Sequence, residues 1–157
     1  MTSQNKEVVS VLNDLIEYSK DGEKGFKTSA DDVKNPDLRT YFLQRAGECG
    51  SAASELQSQV RTLGGDPQTS TSVSGDMHRG WVNLKSMLTG KSEEAVLNEV
   101  ERGEDHALKA YRDALEKLAR LNEVPGSDVY ALVERQYHGV QRNHDQVKAL
   151  RNQARAR

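Results

Sequence analysis

The sequence predicts an all-α protein built as a bundle of four long helices. Three observations predict it. Apolar residues recur at spacings of three and four in four long stretches, helix start and stop signals bound those stretches, and one connection is far longer than the others. Apolar residues make up only 35% of the chain and charged residues 29%, so the helical period carries the prediction. At 157 residues we expect one domain over residues 1–157.

The first predicted helix, helix A, covers about residues 6–33. The residues at helical spacing form one stripe that we expect to be buried. The stripe consists of Val8, Leu12, Leu15, Ser19, Gly22, Phe26, Ala30 and Val33. Asn35 and Pro36 then read as an N-cap followed by proline at the first helical position, so helix B starts directly after helix A.

Helix B continues to a stop signal made by Gly64, Gly65 and Pro67. Its stripe consists of Leu38, Phe42, Arg45 or Ala46, Cys49, Ala52 or Ala53, Leu56, Val60 and Leu63. Because only two or three residues connect helices A and B, we expect them to be antiparallel neighbours.

The connection over residues 64–91 decides the predicted topology. Residues 64–75 are rich in Gly, Ser and Thr, and residues 76–89 predict a short amphipathic helix with one apolar stripe, which ends at Gly90. About 11 loop residues at up to ~3.3 Å each reach ~36 Å, which is long enough to cross the bundle lengthwise. An A-B hairpin, a long crossover and a C-D hairpin together give the ferritin-like arrangement of four helices.

Helices C and D form the second predicted hairpin. Ser92 caps helix C, and Ser127 caps helix D after the break at residues 124–128. The stripe of helix C is Val96, Val100, Glu104, Ala107, Tyr111, Ala114 and Leu118. The stripe of helix D is Val129, Val133, Gln136, Val140, Asn143, Val147 and Leu150.

Charge and hydropathy exclude several classes of protein. The net charge is near −2 with both signs interspersed, which argues against a nucleic-acid or anionic-membrane binder. No apolar run approaches 18 residues and no leader pattern is present, so we expect no membrane span and a cytoplasmic protein. The lone Cys49 lies on a predicted buried face, which favours an inert thiol over a nucleophile.

Polar residues inside the predicted bundle are the candidates for a site. In the ferritin-like topology four metal-competent side chains fall in one layer: Glu23, Glu48, Glu104 and His144. On a helical wheel Glu104 is central on its face, whereas the other three lie on the inward flanks. Such a layer could hold iron, manganese or zinc, although the pattern does not require any of them.

A complete di-iron centre is not predicted. Ferritin-like di-iron proteins use a Glu from each of two helices and a Glu-x-x-His pair from each of the other two. The residues three positions before the four histidines are Gly75, Gly103, Arg135 and Gln141, so the pair is absent. On helix B, Glu48 is followed three residues later by Ser51. Any metal site would therefore be mononuclear or degenerate.

The alternative for Glu104 is a structural role in a polar core. Arg45 lies on the inward arc of helix B within about one turn of the same layer, and Gln136 and Tyr111 could supply further donors. A buried carboxylate needs such partners because an unpaired ion in the core is very costly. The two hypotheses oppose each other, since Arg45 would repel a cation.

Outside the bundle core, His78, Arg79 and Trp81 on the crossover could form a recognition patch, or Trp81 could simply cover the core. The sequence contains no Gly-rich phosphate loop, no Ser-His-Asp order and no CxxC pair. These absences give ordinary hydrolase and nucleotide chemistry no support.

Several segments in order resemble a bacterial family of ferritin-like four-helix-bundle proteins of unknown function, over about residues 6–152. They are LNDLIEYSKDGEKGF at 12–26, LGGDP at 63–67, HRGW at 78–81, ERGEDHALKAY at 101–111 and ERQYHGVQRNHDQVKALR at 134–151. The resemblance implies the ferritin-like fold, supports the crossover, and carries an association with stress but no activity. The missing Glu-x-x-His pairs separate this chain from iron-oxidising ferritins and rubrerythrins.

The leading functional prediction is a non-catalytic or only weakly metal-binding bundle that acts by association with itself or with a partner protein, most simply as a homodimer. The Trp-bearing crossover supports this prediction. The alternative is a metalloprotein that uses Glu23, Glu48, Glu104 and His144.

Overall fold

The structure is a computed structural model that describes residues 2–69, 92–123 and 126–156. These residues form four α-helices and no strand: α1 Ser3–Asp32, α2 Pro36–Thr62, α3 Glu93–Arg120 and α4 Asp128–Arg155. The predicted all-α bundle is confirmed. The short helix predicted over 76–89, with His78, Arg79 and Trp81, lies outside the described residues.

Each helix starts at a polar side chain that accepts a backbone N–H, which satisfies one of the free donors of the first turn. The predicted caps Asn35, Ser92 and Ser127 are confirmed. Thr2 caps α1 in the same way, so this helix begins at Ser3, before the first buried residue of its stripe.

Two of the helices end in Schellman motifs, in which a left-handed residue turns the chain and the next amides bond back to the last turn. After α2, Gly64 has φ +83° and the Gly65 amide donates to the Val60 carbonyl. After α3, Asn122 has φ 67° and the Glu123 amide donates to the Leu118 carbonyl. Asparagine serves here because it tolerates this conformation better than most non-glycine residues.

The helices are arranged as two hairpins side by side. Residues 33–35 connect α1 to α2, so these helices are antiparallel and pack closely, as do α3 and α4. Helix α1 also packs on α3, whereas α2 and α4 touch least of the neighbouring pairs. The α2–α4 face is therefore the open face of the bundle. None of the described helices is apolar enough over a sufficient length to cross a membrane.

The core consists of two apolar clusters along the bundle. One cluster contains Phe26, Phe42 and Val100, and the other contains Leu12, Leu56 and Leu118. Buried polar residues lie where the clusters meet: Arg45 and Glu104 beside the first, and Ser19 and Gln136 beside the second. This polar layer, at mid-height of all four helices, is the candidate site.

Candidate functional site

An ion pair crosses the centre of the bundle. Arg45 Nη2 on α2 donates to Glu104 Oε1 on α3 over 3.0 Å, and these helices do not pack directly against each other. The two side chains are only 5% and 2% exposed. The Arg45 guanidinium also lies over the Phe26 ring, 5.0 Å from its centroid. Packing of apolar side chains on both sides therefore holds the pair in one place.

The electrostatics of the pair reflect its burial. Burial raises the pKa of Glu104 above its usual value, against the opposing effect of the neighbouring guanidinium. Burial alone would lower the pKa of Arg45, but the Glu104 carboxylate raises it, so Arg45 stays charged. Glu104 Oε2 and Arg45 Nε are buried and have no hydrogen-bond partner among the described residues. The pair thus keeps one free acceptor and one free donor.

A second polar group lies two helical turns away along α3. Tyr111 Oη donates to Gln136 Oε1 over 2.8 Å, and Gln136 Nε2 donates to the Ala52 carbonyl over 3.2 Å. A further bond from Tyr111 to Ser19 lowers the pKa of the phenol, but burial dominates and raises it. These bonds connect all four helices. The sequence suggested Tyr111 and Gln136 as extra donors to Glu104. Both side chains belong to this second group instead, and among the described residues neither is hydrogen-bonded to Glu104.

Between these two polar groups lies a cavity of about 310 Å³. It exists because small residues line it on every helix, including Ser19, Ala52, Ala107 and Gly139. Arg45 and Glu104 also line it. The cavity reaches the surface at the open α2–α4 face, where the lining includes exposed Arg142.

Cys49 lines the same cavity but is a poor nucleophile. Burial raises the pKa of its thiol to about 12, and the nearby Arg45 charge offsets this only in part. Since the thiolate is the reactive form, a protonated thiol argues against covalent chemistry here.

A separate group of metal-competent side chains lies between α3 and α4. Glu101, Asp105 and His144 each offer one ligand atom, and these atoms lie within 4.8 Å of one another. His144 Nε2 is 2.5 Å from Asp105 Oδ1. Glu101 is engaged by Arg151, which lies two turns beyond His144 along α4.

The structure does not bring the four predicted metal ligands together as one cluster. Glu48 is 46% exposed and lies 3.7 Å from Arg45 Nη1. Glu23 lies against α2, where a Cβ at Gly50 would be 2.5 Å from its Oε2, and it pairs with Lys27 at 3.8 Å. Glu104 is engaged by Arg45, and His144 is engaged by Asp105.

Sequence reasoning did not find Glu101 and Asp105 as partners of His144. A signal was present, since the i, i+4 spacing puts both carboxylates on one side of α3. By itself this spacing is equally typical of a solvated helix face, because nothing in the sequence of α3 says which of its flanks α4 covers.

Residues 7–117 match the family described as a domain of unknown function, DUF2383, and the chain belongs to this family. A comparison with curated proteins found no match.

Solved structures with the same fold are ferritin-like. One is of ferritin-like, diiron-carboxylate proteins from Bacillus anthracis str. Ames, with a TM-score of 0.73 at 18% identity, covering 96% of this chain and 99% of that chain. The bacterioferritin of Desulfovibrio desulfuricans gives a TM-score of 0.80 at 15% identity, and the match covers 99% of this chain and 86% of that chain. The DPS protein of Vibrio cholerae O1 gives a TM-score of 0.73 at 14% identity, and the match covers 94% of this chain and 91% of that chain. Likeness at these identities establishes the ferritin-like fold.

Proposed function

We propose that this protein is a ferritin-like bundle that acts by binding and association and does not carry out di-iron oxidation. The observation that carries the proposal is the Arg45–Glu104 ion pair, in which a fully charged guanidinium lies in the central layer of the bundle. A buried cation beside the central carboxylate replaces the positive charge that a metal would supply there.

Two of the similar structures are of ferritin-like diiron-carboxylate proteins and the bacterioferritin has a diiron site, so a di-metal centre is the natural alternative. The residues present do not fit it. A di-metal centre would need several carboxylates around the layer, but Glu48 is nearly half exposed. Glu104 Oε1 is already engaged by Arg45, its only cationic partner among the described residues. A metal pair at this position would also repel the guanidinium.

Elemental analysis of protein purified without chelators tests the proposal. We expect no stoichiometric iron, manganese or zinc that depends on Glu104. The comparison uses the double variant Arg45→Met/Glu104→Leu, because replacing both members of a buried pair with apolar residues of similar volume preserves folding better than removing one. Stoichiometric metal in the wild type that disappears in the folded double variant would overturn the proposal.

A second candidate is a mononuclear metal site at Glu101, Asp105 and His144. It is favoured by the closeness of the three ligand atoms, and one imidazole with two carboxylates suits manganese, iron or zinc. It shares only His144 with the predicted set of Glu23, Glu48, Glu104 and His144. The ion pair between Arg151 and Glu101 opposes it, because a metal would have to displace the guanidinium.

Calorimetric titration with zinc and manganese tests this second candidate. His144→Ala should abolish one-to-one binding, and His138→Ala is the matched control because His138 is an exposed histidine on the same helix. Equal metal affinity in both variants would exclude the site. The Arg45→Met/Glu104→Leu variant should bind as the wild type does, which separates this site from the central layer.

Self-association is the form of association that the sequence predicts, and a homodimer in the cytoplasm remains our proposal. Leu43 on α2, a large apolar side chain that is 51% exposed, is the position at which we test it. Light scattering after size-exclusion chromatography tests it. Leu43→Glu should shift a dimer toward monomer, whereas an unchanged mass would exclude Leu43 from the interface.

A further inference from the structure

The cavity between α2 and α4 has the features of a small-molecule site. Binding pockets are concave, mostly apolar, and carry a few polar groups that orient the ligand; they start at about 300 Å³. This cavity of about 310 Å³ is walled by aromatic and small residues and opens to solvent at one face. An enclosed apolar cavity of roughly 150 Å³ holds one benzene, so this one suits a molecule of about twice that size.

The cavity also contains polar atoms that have no partner. Glu104 and Arg45 line it, their side chains are at least nine-tenths buried, and Glu104 Oε2 and Arg45 Nε make no hydrogen bond among the described residues. A buried polar atom without a hydrogen bond is costly, because it has lost its contact with water and gained no partner. A ligand group that both donates and accepts a hydrogen bond would satisfy them, and a hydroxyl or primary amide does both.

The charges around the cavity indicate the net charge of its ligand. Three arginines and three glutamates line it: Arg45 pairs with Glu104 and with Glu48, Arg135 pairs with Glu55, and Arg142 is exposed at the mouth. A charged ligand would therefore lose its hydration without meeting a free counter-charge in the interior.

We propose that this cavity binds a compact, uncharged, largely apolar molecule that carries a hydroxyl or amide group. The inference rests on the proposed function, because the Arg45–Glu104 pair must be present to anchor the polar group. The apolar body would lie against Phe26, Ala107 and Gly139, with access from the α2–α4 face.

1-Naphthol is a suitable probe because it is neutral, fluorescent and of the required size. We expect it to bind one-to-one, with Gly139→Leu weakening it at least tenfold, because the new side chain enters a lining position where only Arg142 lies within 4 Å of a Cβ. Gly47→Leu is the matched control, since Gly47 is an exposed helical glycine with nothing within 4 Å. Equal affinity in the two variants, or no binding to the wild type, would overturn the inference.

Isosteric probes test the ligand class. Naphthalene and 1-naphthoate should each bind the wild type at least tenfold more weakly than 1-naphthol. In the Arg45→Met/Glu104→Leu variant the advantage of 1-naphthol over naphthalene should disappear. Naphthoate binding as tightly as naphthol, or a hydroxyl advantage that survives in the double variant, would refute the proposed class or its anchor.

The metal content of the same samples keeps the two proposals apart. Metal that depends on Glu104 would overturn the proposed function, whereas failure of 1-naphthol to bind metal-free protein would overturn only the ligand site.

Discussion

The contact between α1 and α2 and the open face between α2 and α4 both contain small residues but differ in what lies opposite them. Where α1 meets α2, neighbouring side chains occupy the space beside the glycines: a Cβ at Gly22 on α1 would lie 3.0 Å from Cys49 Sγ, and one at Gly50 on α2 would lie 2.5 Å from Glu23 Oε2. Against α4, the small residues face a cavity, and the helices are bridged by polar contacts such as Gln136 to the Ala52 carbonyl. Small residues therefore close one face and open the other.

The difference shows that a small residue has no fixed meaning in a bundle. Where a side chain from the neighbouring helix fills the space, a glycine brings two helices together and the packing stabilises the fold. Where no side chain fills it, the same residue type leaves a cavity that destabilises the empty protein and can receive a ligand. The polar layer determines where the second outcome occurs, because its side chains hydrogen-bond one another and do not fill the space.

The largest expected effect is at the buried Arg45–Glu104 ion pair, which lines the cavity. Glu104→Ala should lower the free energy of unfolding by about 3–5 kcal/mol, because it leaves the Arg45 charge buried and unpaired. Arg45→Met/Glu104→Leu should recover most of this loss. Urea denaturation followed by circular dichroism measures both, and a single variant as stable as the double would show that the pair is not the anchor of the layer.

A smaller effect is expected at the hydrogen-bonded group above the cavity. Tyr111→Phe should cost about 1–3 kcal/mol, because Gln136 Oε1 loses its donor in a buried position. Tyr130→Phe serves as the control, since its hydroxyl makes no hydrogen bond among the described residues. Thermal unfolding compares them, and equal melting temperatures would mean that Gln136 finds another donor.

Glycine substitutions compare the two faces directly. Gly139→Ala should stabilise the protein by about 0.5–1 kcal/mol, because alanine favours the helix and its Cβ meets only Arg142, at 3.7 Å. Gly22→Ala should not give this gain, since its Cβ would crowd Cys49. If chemical denaturation finds the same gain at both positions, the two faces do not differ in packing.

The last expected effect is a pH dependence from Glu104. Burial raises the pKa of its carboxyl in the folded protein above the ordinary 4.5, so the folded state holds this proton more tightly than the unfolded state does. Its contribution to stability is therefore present below pH 4.5 and is lost as pH rises through the folded-state pKa.

The wild type should accordingly lose stability relative to Glu104→Gln as pH rises above 4.5. Subtracting the two denaturation series removes the contributions of all other carboxyls. A difference that grows in favour of the wild type would show that the Arg45 charge outweighs the cost of burial.

Most of the fold could be predicted from the sequence. Asn35–Pro36, Ser92 and Ser127 mark helix starts through local hydrogen bonds, and the apolar stripes identify the buried face of each helix without reference to its neighbours. Glu104 was predicted to be inward for the same reason, because its angle on its own helix is fixed by the chain. These features depend on residues within a few positions of one another.

Only the tertiary structure decided how the helices face one another. The sequence put Glu48 and His144 on flanks near the core, but the rotation of each helix leaves Glu48 half in solvent and turns His144 toward Asp105. It also leaves α2 and α4 apart, which creates the cavity beside Arg45 and Glu104. A helical wheel fixes an angle about one axis; the distance between two axes comes from the packing of all the side chains between them.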